Sequence, residues 1–228
     1  MVSISREFDD FVGGGLLRGV LTHIYGPPAS GKTNLALMAS ANAAEEGKVL
    51  YIDSEGGFSV ERLRQITGGR LNKLMENMML VKPTTFSEQQ SVVRKLDGMM
   101  KAGDVSLVVI DSIANLYRIE EDKDIKNLGR QLAQLLRIAR KYNVPVLMTN
   151  QVYTDIDSGR IVPVGGKMND YWSKVMLELG REDSTRFALI KKHLFKPEGL
   201  RLDFRIVEQG IEVVGASPSK FNIKHAPK

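Results

Sequence analysis

Residues 26–33 read GPPASGKT, and this stretch decides the fold. Gly26, Gly31, Lys32 and Thr33 satisfy the phosphate-loop pattern G-x4-G-K-[ST]. Its glycines let successive backbone N–H groups turn inward around phosphate oxygens, and a helix starting at the end of the loop aims its positive dipole end at them. Such a loop needs a strand before it and a helix after it. Residues 20–25 (VLTHIY) are a β-forming apolar run that stops at Gly26, and residues 31–46 are an Ala-rich helical stretch that stops at Gly47. In that context Lys32 is placed to neutralise the β- and γ-phosphates of ATP, and the Thr33 hydroxyl to join the shell of its Mg2+. Pro27, Pro28, Ala29, Ser30 and Asn34 complete the expected nucleotide-binding set.

Working outward, residues 48–53 (KVLYID) and 78–81 read as strands. Residues 59–67 read as a helix capped by Ser59, and 86–102 as another helix. Residues 105–111 (VSLVVID) are apolar without alternation, which suits a strand buried on both faces of a parallel sheet. Ile125, Leu128, Leu132, Leu135, Leu136, Ala139 and Tyr142 recur at helical spacing, and 144–149 (VPVLMT) is the next strand. The alternation predicts an α/β protein with a mainly parallel central sheet flanked by helices. Residues 152–173 read as a loop. Beyond it, 174–179, 185–190, 202–207 and 211–214 read as antiparallel strands added at the sheet edge. A single core domain over 1–216 and a basic tail over 217–228 are expected.

Composition narrows the classes further. With no cysteine, disulfide frameworks, cysteine–zinc sites and thiol catalysis are excluded. No apolar run reaches the length of a membrane span, and the N-terminus has no signal-peptide h-region, so a cytoplasmic protein is expected. The net charge of +5 is compatible with a nucleic-acid partner. Residues 181–228 hold ten Lys/Arg against six Asp/Glu, which concentrates the surplus near the C-terminus.

Two acids extend the site. Asp111 ends the apolar VVID strand; alone it could be a helix cap, but beside a phosphate loop it reads as the carboxylate that faces the metal. Glu55 follows the strand ending at Asp53, on the edge where open α/β sheets bind ligands. A carboxylate there could act as general base toward an attacking water; it could equally begin the exposed turn Glu55-Gly56-Gly57.

GGG at 13–15, GPPASGKT, YIDSEGGF at 51–58, ERL at 61–63, LVVIDSIANLYR at 107–118 and TNQV at 149–152 together resemble the RecA/RadA recombinase core. The likeness spans roughly residues 8–214 and is strongest to a bare-core paralogue of archaeal RadA without the N-terminal DNA-binding domain. The resemblance implies that Glu55 is the catalytic glutamate and that Gln151 senses the γ-phosphate and relays it to a DNA-binding loop. It implies that Arg62 packs on the adenine. It also implies DNA, a RadA recombinase and further copies of the chain as partners.

The departures from that pattern shape the functional expectation. After Tyr117 the first DNA loop is acidic, with Glu120, Glu121, Asp122 and Asp124 against Arg118 and Lys123, and carboxylates repel a phosphate backbone. Where relatives carry an aspartate-containing cap over a neighbour's ATP, this chain has Lys191, Lys192 and His193. DNA contact is therefore expected at Lys191, Lys192, Lys196, Lys220, Lys224 and Lys228. For Lys191 and Lys192 the alternative is contact with a neighbouring subunit's ATP. In the second loop, Tyr153, Arg160, Lys167, Tyr171 and Trp172 could stack single-stranded bases or form an ordinary loop. The expected function is an ATP-binding mediator of a RadA recombinase with weak ATPase activity. The alternatives are an autonomous DNA-dependent strand-exchange ATPase and a KaiC-like ATPase that controls protein assembly without DNA.

Overall fold

The computed structural model describes residues 1–121, 124–155, 159 and 161–218. The chain runs α1 (Arg6–Val12), β1 (Leu21–Tyr25), α2 (Lys32–Glu46), β2 (Lys48–Asp53), α3 (Val60–Thr67), α4 (Leu71–Met75), β3 (Met78–Val81), α5 (Phe86–Lys101) and β4 (Val105–Asp111). It continues through α6 (Asn115–Ile119), α7 (Ile125–Tyr142), β5 (Val146–Asn150), β6 (Val152–Thr154), β7 (Ile161–Pro163), α8 (Lys167–Trp172), β8 (Val175–Glu182), β9 (Thr185–Lys192), β10 (Leu200–Val207) and β11 (Gly210–Pro218). Nine strands form one sheet in the order β11-β10-β9-β8-β1-β5-β4-β2-β3.

The helix starts follow from local chemistry. Ser59 accepts from Arg62 N at α3, and Thr85 accepts from Glu88 N at α5. Each hydroxyl satisfies one of the orphan N–H groups of a first turn. The continuous apolar run of β4 is explained by its two faces. Leu107 and Val109 belong to one buried cluster, with Leu35, Leu63 and Leu74; Val108 and Ile110 belong to the other, with Leu96, Leu132 and Leu135. Helices α1–α4 thus cover one face of the sheet, and α5 and α7 the other.

Two expectations change. Residues 152–173 are not one loop: β6 and β7 form an antiparallel hairpin, and α8 follows it. Beyond the β6–β7 ladder, side-chain amides satisfy backbone groups here, which short, polar segments do not advertise. Val164 O accepts from the side chains of Asn150 and Asn169, both at 2.8 Å. The strands after this segment are also not all antiparallel. The chain returns through α8 to the starting edge, so β8 pairs parallel with β1 and the antiparallel ladder starts only at β9. Strand β11 continues to Pro218, two residues into the stretch expected as tail.

Candidate nucleotide site

Parallel strands β1, β2, β4 and β5 bring Gly26, Glu55, Asp111 and Gln151 to one edge of the sheet, each at or just after the C-terminal end of its strand. A cleft of about 270 Å3 opens there, lined by Pro28, Ala29 and residues 31–34 of the loop and by Glu55, Gln151, Arg186 and Ile206. Glycine at position 26 is a steric requirement, because a Cβ would sit 2.3 Å from Leu179 O on β8. The loop wraps through Ala29 and Gly31, both at positive φ (61° and 104°), which turns backbone N–H groups toward its centre.

Inside the loop, Lys32 is buried. Its Nζ donates to Gly26 O at 2.8 Å and Pro27 O at 2.9 Å. Burial lowers its pKa, and the nearby charges of Glu55 and Asp111 act in the opposite direction. Asp111 is fully buried; one carboxylate oxygen accepts from Tyr51 Oη at 2.8 Å and the other from Thr149 Oγ1. Burial and that carboxylate push the Tyr51 phenol well above its ordinary pKa, so it remains a donor. A Cβ on Gly57 would stand 3.4 Å from Thr33 Oγ1 and 3.8 Å from Asp111 Oδ2. The hydroxyl and the carboxylate therefore flank one small space with oxygen donors, the chemistry Mg2+ takes. These residues fit Mg-ATP.

Gln151 Nε2 donates to Glu55 Oε1, so the two residues assigned to water activation and phosphate sensing meet across the mouth of the cleft. The turn that carries Glu55 is held by Asp53, whose carboxylate accepts from Gly56 N, Gly57 N and Phe58 N. Behind it, Gln151 O accepts from Val164 N at 3.0 Å, which links the same residue to the β7 end of the hairpin.

The guanidinium of Arg62, which the resemblance places against the adenine, is anchored within the chain. All five of its N–H groups are used within the chain: Nε to Asn34 Oδ1, Nη1 to Gln65 Oε1 and Glu208 O, and Nη2 to Val207 O and Gly210 O. An adenine could only stack on the guanidinium plane, since no N–H remains for its edge. Asn34 is a buried link in the same network and also donates to Gly210 O at 3.3 Å. Together they tie the first turn of α2 and α3 to the β10–β11 turn. Arg62→Ala is expected to cost about 2 kcal/mol, because part-buried carbonyls lose a charged donor. The loss should appear as a lower thermal midpoint, and an unchanged midpoint would contradict the role.

Arg186 is a site residue that sequence reasoning missed. It projects from β9, lines the cleft, and donates from Nε to Ala29 O at 3.0 Å. Nothing local marks it; it reaches the loop only because β8 and β9 fold against β1.

The expected DNA-binding lysines are not gathered in one free patch. Lys191 pairs with Glu178 at 3.6 Å, Lys192 donates to Asp170 O at 2.5 Å, and Lys196 donates to Asp10 O at 3.1 Å. Lys220, Lys224 and Lys228 lie outside the described residues, as do Asp122, Lys123 and Arg160. Of the acidic loop, Asp124 has a structural task, capping α7 by accepting from Lys126 N at 2.9 Å. Among the described residues, no helix is long and apolar enough to cross a membrane.

A family model described as Rad51 matches residues 1–214. A DNA repair and recombination protein RadB from Methanoculleus marisnigri is 43% identical over 216 residues, covering 92% of this chain and 96% of the relative. The RadB of Methanothermobacter thermautotrophicus is 41% identical, covering 92% of this chain and 94% of the relative. A solved structure titled as the RadB recombinase superposes with a TM-score of 0.81 at 41% identity, covering 94% of this chain and all of that one. The chain belongs to the Rad51 family and, within it, to the RadB DNA repair and recombination proteins.

Proposed function

We propose that this protein is a nucleotide-controlled recombination factor. It holds Mg-ATP in the phosphate loop, hydrolyses it slowly, binds DNA with little sequence preference and assists a RadA recombinase. The observation that carries this reading is the hydrogen bond from Gln151 to Glu55 at the cleft mouth. A carboxylate occupied by an amide donor is a poor base toward water. The bond engages Oε1 alone, so it weakens Glu55 as a base without blocking it; release by Gln151 would raise that basicity, and a γ-phosphate would offer Gln151 a competing charged acceptor. Its backbone bond to Val164 then carries the change into the β6–β7 hairpin. Lys32, Thr33 and Asp111 would hold the nucleotide and metal, and Mg2+ when bound would offset phosphate charge. Arg62 would offer its plane to the adenine.

Gln151→Ala provides the test. Mg-ATP affinity is expected to stay within about threefold of the parent, since Gln151 adds no charge to the phosphates. The difference in single-stranded DNA affinity between the ATP-bound and nucleotide-free protein is expected to disappear. A variant that keeps that difference would remove Gln151 from the relay. Strong stimulation of ATP turnover by DNA in the parent would favour an autonomous recombinase. Weak DNA affinity with little salt dependence would favour a protein-assembly ATPase.

A further inference from the structure

Helix α7 contains no acidic side chain in its 18 residues, yet five of them are Lys or Arg. Lys126, Arg130, Arg137, Arg140 and Lys141 are all exposed. At 100° per residue they fall within an arc of about 100°, so they form one stripe on the outer face, opposite the buried Leu128, Leu132 and Leu135. From Lys126 to Lys141 the stripe is roughly 22 Å long. Helix α5 packs beside it and presents Asp97, on which three cations converge: Lys141 at 2.7 Å, Lys101 at 3.4 Å and Arg137 at 3.8 Å. The two helices carry eight cations against two acids, an excess larger than the net +5 of the whole chain.

Arg140 and Lys141 sit favourably at the negative end of the helix dipole. Lys126 and Arg130 sit near the positive end, and the pairs 126/130, 137/140 and 137/141 bring like charges to neighbouring positions. Both arrangements weaken a helix.

We infer that the outer face of α7, with Lys101 of α5 beside it, is a docking surface for the phosphate backbone of a nucleic acid, distinct from the nucleotide cleft. The pattern favours a nucleic acid over an acidic protein. A protein-docking site has an apolar centre within its polar rim. Here Ile125 is the one large apolar side chain exposed on α7, and it lies about 100° off the stripe. A phosphate backbone needs only cations spaced along a line, and arginine meets phosphate with paired N–H groups. Asp97 offsets one charge among Lys101, Arg137 and Lys141, so this face keeps a net surplus of cations. Helix α7 runs from the cleft edge of β4 to the opposite edge of β5, so the strand would lie across one layer of the molecule rather than over the cleft.

The inference rests on the DNA-binding part of the proposed function, and one experiment separates the two. Binding of a fluorescein-labelled thirty-nucleotide oligo-dT is titrated across a salt series for the parent, for Arg130→Gln/Arg137→Gln/Arg140→Gln, and for the matching triple Lys variant. The glutamine triple is expected to bind at least about tenfold more weakly and to lower the salt slope by about two, at roughly 0.7 per lost phosphate contact. The lysine triple, which keeps the charge, should retain most of the slope. If the glutamine triple matches the parent in affinity and slope while Lys191→Glu/Lys192→Glu loses binding, the surface is wrong and DNA binding stands. If the parent shows no DNA affinity, both readings fall. If the glutamine triple loses only binding of a polyglutamate peptide, the face serves an acidic protein and the inference is overturned.

Discussion

Lys32→Ala is expected to lower Mg-ATP affinity by two to three orders of magnitude while leaving the protein folded. The ammonium lies inside the loop on two carbonyls, Gly26 O and Pro27 O. Carbonyl oxygens are modest acceptors for a cation; phosphate oxygens carry full charge and bind it more strongly. Bonds of this kind contribute about 1.5–3 kcal/mol each, so losing one or two costs roughly 10- to 20,000-fold in affinity, and two to three orders of magnitude is the middle of that range. The apo protein loses about 1–3 kcal/mol at most, because truncation leaves the buried Gly26 O and the part-buried Pro27 O without the ammonium but opens space beside the cleft for water. Thermal shift reads both quantities together. Saturating Mg-ATP should raise the parent's midpoint by several degrees through mass action. The variant should show almost no ligand-dependent shift while its apo midpoint falls by only a few degrees. A variant that binds Mg-ATP within threefold of the parent would sink the assignment.

His23→Leu is expected to remove a large part of the acid sensitivity of the fold. His23 lies at the middle of β1, paired with Met148 on β5 and Met176 on β8, with no exposed surface. Neither ring nitrogen has a hydrogen-bond partner among the described residues, and burial lowers its pKa from 6.5 to about 3. The folded state therefore refuses a proton that the unfolded chain accepts. Between those two values the unfolded state binds more protons, so stability falls as pH drops below about 6.5 and stops falling from this group near pH 3. At 1.36 kcal/mol per unit, the loss by pH 3 is on the order of 4–5 kcal/mol. Leucine has similar bulk and no polar atom to leave unpaired, so stability at pH 7.5 should be equal or higher. Urea unfolding at pH 7.5, 5.5 and 4.5 measures the difference in pH slope between parent and variant. Equal slopes would mean that His23 finds a proton partner in the fold.

The candidate nucleotide cleft was largely legible in the sequence because its signals are local. A glycine pattern between a strand and a helix, an acid at the end of an apolar run, and a serine three residues before the N–H it caps all act over a few residues. Elements with long-range partners were less legible. The β6–β7 hairpin and α8 are held by Asn150 and Asn169 reaching Val164 O, and nothing in 152–173 announces those bonds. The resemblance implies that Arg62 packs on the adenine; the five bonds that anchor its guanidinium, to Asn34, Gln65 and the β10–β11 turn, became visible only in the fold. The cation stripe of α7 was hidden in the sequence for a related reason. Counting placed the surplus at the C-terminus, because acids elsewhere cancel the α5 and α7 cations in the sum. Helical spacing separates them in space.

The sequence by itself determined the α/β class, the order of the strands and helices of the parallel core, the phosphate-loop pattern and the acids placed beside it. Each follows from covalent neighbours and from the periods of helix and strand. Only the tertiary structure decided that β8 runs parallel beside β1, that Arg186 reaches the loop and that Gln151 meets Glu55. It alone placed three cations on Asp97. Those facts depend on which strands lie side by side, a choice made by the whole core as it closes around the sheet, and no local stretch of residues carries it.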